Sequence, residues 1–217
     1  MKSLMQQIKS SFVRERPLFA ILKIARYGYY FLRSLPLGWS LDALGLYIGP
    51  KFLLLGTRYL SIGRNFYAHS NLWIEAIPEY KGQKFEPSIR IGDNVSMGDS
   101  VHISSNSKVL IGNNVLFGSN VFIGDHQHGC YSEFQQSNPN LAPALRLLSI
   151  SHGIEIGDNT WIANNVVITG NVKIGRGCII GANSVVNQDI EDDTLAAGAP
   201  ARTIKRFDAL QGTWIKL

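Results

Sequence analysis

Five histidines are the side chains of this sequence best suited to moving protons near neutral pH: His69, His102, His126, His128 and His152. Imidazole can take a proton from a weakly acidic hydroxyl and return one to a leaving group, which few other side chains do at pH 7. Two of the five fall in one stretch, Val121-Phe-Ile-Gly-Asp-His-Gln-His-Gly129. His126 is the first choice for a base, because it directly follows a regular segment and opens an irregular one. His128 can orient His126, touch a substrate or face solvent. Asp125 can bond an imidazole only if a turn intervenes, since neighbours along a strand point to opposite faces. His152, just beyond the irregular segment, reads as structural. The two cysteines, Cys130 and Cys178, give no disulfide framework, and Cys178 reads as a packing residue.

The elements that must position His126 are set by a period of six. Aliphatic residues recur at Ile156, Ile162, Ile168, Ile174, Ile180 and Val186. The same register holds at Ile62, Ala68 and Ile74, at Ile91, Met97 and Ile103, and at Ile111, Phe117 and Ile123. A strict six is neither the 3.6 of a helix nor the two of a strand, and a fixed period marks a coiling repeat. Small residues follow the aliphatic one, and Asn65, Asn94, Asn114, Asn120, Asn159, Asn165, Asn171 and Asn183 stand where a tight bend or a positive φ is needed. Three sides of six make one coil, and stacked coils bury a continuous column. The fold class is therefore all-β, a parallel β-helix with an N-terminal helical segment. Three breaks interrupt the register: a two-residue slip between Ile103 and Ile111, a loop from Glu75 to Arg90, and a larger loop ejected after His126 that ends near Ser149. Insertions leave a stacked fold at its corners and often carry the binding face.

Charge divides the chain unevenly. Residues 1–60 hold nine Lys/Arg against two acids, while the rest is slightly acidic. The organisation expected is a helical segment at 1–58, the β-helix at 59–207 and a tail at 208–217. In the first segment Pro17 can open a helix. It would carry Leu18, Ile21, Leu22, Ala25, Tyr29 and Leu32 on one face and Lys23, Arg26, Tyr30 and Arg33 on another. Charges interrupt it too often for a membrane span. Such a basic amphipathic helix can cap the open end of the β-helix, pack in an oligomer, or lie on an anionic membrane. The basic residues join no known nucleic-acid module, so no nucleic acid is expected. The first residues lack the pattern of a secretory signal, which makes a cytoplasmic location the expectation.

The [Ile/Val]-Gly-x-Asn-x-x repeat over about residues 60–207 resembles the hexapeptide-repeat acyltransferases. Ile62-Gly-Arg-Asn-Phe-Tyr-Ala-His69 is similar to the first coil of galactoside and maltose O-acetyltransferases. Ala196-Ala-Gly-Ala-Pro-Ala-Arg202-Thr-Ile-Lys205 is similar to the segment with which that family leaves its helix beside coenzyme A. The Asp125-His-x-His-Gly form, behind a basic N-terminal helix, looks most like the O-acetyltransferases of O-antigen and capsule clusters.

The resemblance implies a left-handed coil, a homotrimer with sites between subunits, acetyl-CoA as co-substrate, a sugar or polysaccharide acceptor, and His126 as general base. It implies acceptor contacts from His69 and Glu75, with His128 nearby. In the galactoside branch an Asn stands where this chain has His69, so a different acceptor is expected. It implies coenzyme A contacts from Trp161, Asn164, Ala182, Asn187, Gln188, Arg202 and Lys205, where Trp161 offers a flat wall and the two cations meet phosphates. Asn164, Asn187 and Gln188 replace the Ser, Thr and Lys of the galactoside branch. Small-sugar, xenobiotic and nucleotide amino sugar acetyltransfer are the nearest other activities, and a non-catalytic scaffold is the reading from another class. No metal is expected: the histidines lack the His-x4-His pair of the β-helical zinc hydratases, and zinc would need three converging ligands.

Overall fold

The computed structural model describes residues 12–132 and 135–217, so residues 1–11 of the N-terminal segment, and Phe134 of the large loop, lie outside the described residues. Short strands stack into three faces of a prism. The first face runs from Tyr47–Ile48 through Tyr67–Ala68, Ser96–Met97, Leu116–Phe117, Trp161–Ile162 and Ile179–Ile180 to Thr194–Gly198. The second is Leu53–Leu55, Trp73–Ala76, His102–Ser105, Phe122–Gly124, Val167–Thr169 and Val185–Val186. The third is Leu60–Ile62, Ser88–Ile91, Lys108–Ile111, Ile154–Ile156 and Val172–Ile174. All pairing between successive coils is parallel, and the fold is a left-handed β-helix.

The period of six is the inward column. Ile74, Ile103, Ile123, Ile168 and Val186 lie in one row of the second face. Ile62, Ile91, Ile111, Ile156 and Ile174 form the corresponding row of the third. All fifteen register positions are buried, together with a second layer that includes Phe66, Val95, Val115, Val121 and Val166. β-branched side chains suit this role because their stiff rotamers pack on a pleated surface.

The corners follow the asparagines. Asn65, Asn94, Asn114 and Asn159 adopt φ of 58, 58, 56 and 58°, and their side chains donate one to the next up the corner between the third and first faces, at 3.0, 3.1 and 3.2 Å. Asn120, Asn165 and Asn183 make a second ladder at the corner between the first and second faces. Asn tolerates the left-handed region and can bond its own copy one coil away, which Gly cannot. Asn171 departs from the expectation. Gly170 takes the positive φ (87°) there, and Asn171 instead accepts a hydrogen bond from Ser151 Oγ at 2.7 Å.

A long helix, α1 (Pro17–Ser40), packs on the first coils. Its contact side is Ala20, Tyr27, Ser34 and Gly38, with Tyr27 stacked on Tyr47 and Tyr47 on Tyr67 at 4.8 and 4.6 Å. The Arg33 guanidinium donates to the carbonyls of Ile48 and Gly49 at 2.9 and 2.6 Å. Leu37 and Leu41 close the end of the core. Beyond the last coil the chain reverses, and Ala201–Asp208 and then Thr213–Lys216 extend the first face antiparallel.

Candidate functional site

Two excursions leave the prism at the corner between the second and third faces. The shorter is an antiparallel hairpin, Glu79–Tyr80 with Gln83–Lys84. The longer, 125–153, is a finger rather than an irregular loop. His128 bridges Leu148, Gly129 N donates to Leu147 O at 2.8 Å, and Ser149 N donates to Gln127 O at 2.9 Å. Arg146 ties the outer part by donating to Leu141 O, Tyr131 Oη and Pro139 O. The hairpin holds the finger through Gln83, which bonds both backbone groups of Leu148. Tyr80 Oη also donates to Ala144 O at 2.8 Å.

His126 stands where the finger leaves the second face, one residue after Asp125 and two after Gly124. Its side chain is 12% exposed and that of Asp125 is fully buried, and His126 Nδ1 lies 3.0 Å from Asp125 Oδ1. The turn needed to bring these neighbours together is present. Its cause is the two-residue slip one coil earlier. The extra residues at Ser105–Lys108 open a ring of donors around the carboxylate: Asn106 N at 3.0 Å, Ser107 N at 3.0 Å, Lys108 N at 2.9 Å and Ser105 Oγ at 2.6 Å. Successive backbone N–H groups form a nest for a negative charge. Burial pushes the Asp125 carboxyl up, but the bonds from His126, Ser105 and Asn106 outweigh it and hold the group below its usual range. The same corner clamps the returning arm, since Asn106 Nδ2 donates to Ser149 O and Ser107 Oγ to Ser151 O.

A carboxylate on Nδ1 fixes the imidazole's orientation and makes Nδ1 the nitrogen that carries the proton. Nε2 is left with its lone pair for a substrate hydroxyl. The sequence left the Asp125–imidazole bond conditional on a turn, and the Ser105–Lys108 nest was not expected from it. The register slip was the available signal, and it reads only as a bulge until coil stacking sets Asp125 above it.

The other expected residues divide into groups. Glu75 lies in the same row of the second face as Ser104 and Gly124, two coils below Gly124 and so roughly 10 Å away at the sheet spacing. His128 is exposed on the finger, with Tyr80 Oη 3.4 Å from its Nδ1. His69 belongs to a different corner, between the first and second faces. It lines a cavity of about 520 Å³ under α1 with Arg26, Tyr27 and Tyr67. The chain therefore does not bring His69 to His126. His102 is stacked on Trp73 at 4.1 Å, and burial, followed by the nearby His126, lowers its pKa. His152 is exposed.

Trp161, Asn164 and Ala182 come together, lining a groove of about 380 Å³ on the first face with Ile179, Gly181 and Leu195. Asn164 also accepts from Ser119 N at 2.8 Å, so it serves the corner as well. Gln188 and Arg202 converge on one carbonyl, that of Ala201, at 3.2 and 2.9 Å. Lys205 lies opposite Leu195. Asn187 is exposed just after Val186, on His126's side of the prism but two coils further along. Within one chain, then, His126 and the Trp161 groove sit on different sides of the prism. Among the described residues no three His, Cys, Asp or Glu side chains gather as a metal site.

These features define a hexapeptide-repeat β-helix protein, and comparison with known proteins agrees. Residues 153–188 match the bacterial transferase hexapeptide (six repeats) family. The chain is 33% identical over 159 residues to the galactoside O-acetyltransferase of Escherichia coli (strain K12), covering 73% of this chain and 59% of that one. It is 38% identical over 93 residues to WbbJ of the same organism, whose name proposes O-acetyl transfer in lipopolysaccharide biosynthesis, covering 42% of this chain and 47% of that one. The matched stretches thus span about half the length of these relatives. In fold it resembles the hexapeptide-repeat acetyltransferase VCA0836 of Vibrio cholerae, solved with acetyl coenzyme A. The TM-score is 0.52 at 23% identity, covering 95% of this chain and 88% of that one. In sequence and in fold the chain resembles the hexapeptide-repeat acetyltransferases.

Proposed function

We propose that this protein transfers the acetyl group of acetyl-CoA to a sugar hydroxyl of a surface polysaccharide or its lipid-linked precursor. The observation that carries the reading is the Asp125–His126 pair at the root of the finger. His126 Nε2 accepts the proton of the acceptor hydroxyl as its oxygen attacks the thioester carbonyl. Collapse of the tetrahedral adduct breaks the C–S bond, and the same proton passes from the imidazole to the departing thiolate. Asp125 remains ionised throughout, holding the ring and stabilising the transient imidazolium. Glu75 and His128, on the same corner, are placed to meet the acceptor. Trp161, Asn164 and Ala182 take the pantetheine arm, while Asn187, Gln188, Arg202 and Lys205 serve the nucleotide end.

A homotrimer completes this site. The first two faces expose large apolar side chains, Leu53, Trp73, Leu116 and Trp161, among polar ones such as Ser96 and His102, whereas the third face presents Arg90, Glu155 and Lys173 around Leu110. Packing a first face against a neighbour's second face would bring the Trp161 groove toward the neighbour's His126. Heterologous contacts that close on themselves make rings. Mixing His126→Ala with Trp161→Ala should then restore activity at roughly a quarter of the sites in random trimers. No recovery would assign both residues to one subunit's site.

A lipid-linked acceptor would place the protein at the inner face of the plasma membrane, a location that the basic, aromatic α1 supports. The deciding experiment incubates protein and acetyl-CoA with a panel of sugars and glycolipids while following free thiol. Thiol release with formation of a base-labile ester supports the reading. A base-stable amide on a nucleotide amino sugar would make it an N-acetyltransferase. Release with free sugars alone would make it a small-molecule enzyme, and no release with any acceptor would leave a scaffold.

A further inference from the structure

The long helix is oriented the opposite way from a helix that simply covers a core. Its contact side is built from Ala20, Tyr27, Ser34 and Gly38. A Cβ on Gly38 would stand 2.9 Å from Ala43 O in the turn that follows the helix and 3.5 Å from Leu46 Cβ, so the chain folds back tightly against this side. Arg33 is consumed there, bonded to two carbonyls and lying over the rings of Tyr30 and Phe52. The apolar side is turned outward. Leu18, Ile21, Leu22, Tyr29, Leu32 and Trp39 are 54 to 80% exposed. At 100° per residue these six fall on one continuous stripe that contains no charged residue.

We infer that this outward stripe is a docking surface for an anionic lipid bilayer, with α1 lying in the plane of the interface. Charge decides the occupant. Residues 1–40 hold seven Lys/Arg and a single acid, Glu15, which is already paired with Lys23. α1 itself contains no acid at all. Arg26 borders the stripe and makes no ion pair among the described residues. A second copy of the same helix would set these cations against each other, whereas anionic headgroups would neutralise them. Tyr29 and Trp39 have the amphipathic rings that favour the headgroup level. No described helix is long and apolar enough to cross a membrane, so α1 lies on the bilayer rather than through it. Capping and docking are therefore not alternatives, because the helix uses one side for each.

The docking stands apart from the acetyl-transfer reading, and its readout needs no turnover. Full-length protein is sedimented with phosphatidylglycerol/phosphatidylcholine vesicles, with pure phosphatidylcholine vesicles and without lipid. Ile21→Glu/Leu32→Glu, two stripe residues remote from His126, is compared after its melting temperature confirms folding. The expected result is binding to the anionic vesicles that weakens as salt is raised and falls roughly 100-fold in the double variant. Arg26→Gln should weaken it several-fold with the stripe intact. Unchanged partition of the double variant would overturn the inference. So would a fall in oligomer mass of that variant in sedimentation velocity, which would make a second copy the occupant.

Discussion

Two corners of this prism solve one problem in opposite ways. Each must bend the chain between faces without leaving backbone groups unpaired. The corner through Asn65, Asn94, Asn114 and Asn159 does so by repetition, with every asparagine at a positive φ and each bonded to the next along the ladder. The corner at His126 does so by irregularity. Two extra residues widen the bend at Ser105–Lys108, whose donors aim at a side chain, Asp125, and the chain then leaves the coil altogether one coil later. A ladder of identical groups tolerates no distinct chemical environment, since each rung must match the next. A broken corner can hold a buried charge and deliver one imidazole at a fixed angle, which a proton-transfer site requires.

The contrast makes predictions that differ in kind. The largest effect belongs to the irregular corner. His126→Ala should lower turnover by about 10³-fold or more while acetyl-CoA binding, read by titration calorimetry, stays near wild type. Activity within tenfold of wild type would remove His126 as the base. Asp125→Asn keeps the shape of the side chain but sets an amide against the ring of N–H donors. It should cost on the order of 10²-fold in kcat, with less effect on the acceptor KM. It should also change the acid limb of stability. A carboxyl held below its usual range lends stability that is complete above the unfolded value near pH 4. That stability is lost as pH falls through the lower, folded value. The wild type should therefore lose stability below about pH 4 more steeply than Asp125→Asn, as chemical denaturation across that range would show. An equal slope would mean that Asp125 is not held ionised by the nest. The smallest effect on activity belongs to the repeating corner. Asn114→Ala forces a Cβ-bearing residue without a ladder partner into the left-handed region and should cost about 1–3 kcal/mol of stability. Turnover at 25 °C should be unchanged. Asn114→Gly should cost less, since only the ladder bonds are lost. A catalytic defect in the folded Asn114 variants would dissolve the division between the two corners.

Much of this could be read in advance, for a physical reason. A coil that repeats every six residues writes its core into the sequence as a visible column, and Ile62 through Val186 occupy that column without exception. The asparagine corners were legible for the same reason, except Asn171, where a neighbouring glycine took the strained position. The break at His126 was legible because the column stops at Ile123 and resumes only at Ile156. The nest around Asp125 was not. It depends on residues about twenty positions earlier, and only stacking brings those donors against the carboxylate. The orientation of α1 was hidden as well, because a helical stripe of Leu, Ile and Tyr announces that something will cover it without saying what.

The residue pattern by itself therefore determined the repeat, the core column, the corners and the place where the chain leaves the coil, all of which follow from local period and turn chemistry. Only the tertiary structure decided three things. It set Asp125 in its nest, it put His69 and His126 on separate corners, and it turned the apolar side of α1 outward. Each of these depends on which coil lies above which and on which side of a helix fits closest to a backbone. Those are contacts between segments distant in sequence, and no local pattern encodes them.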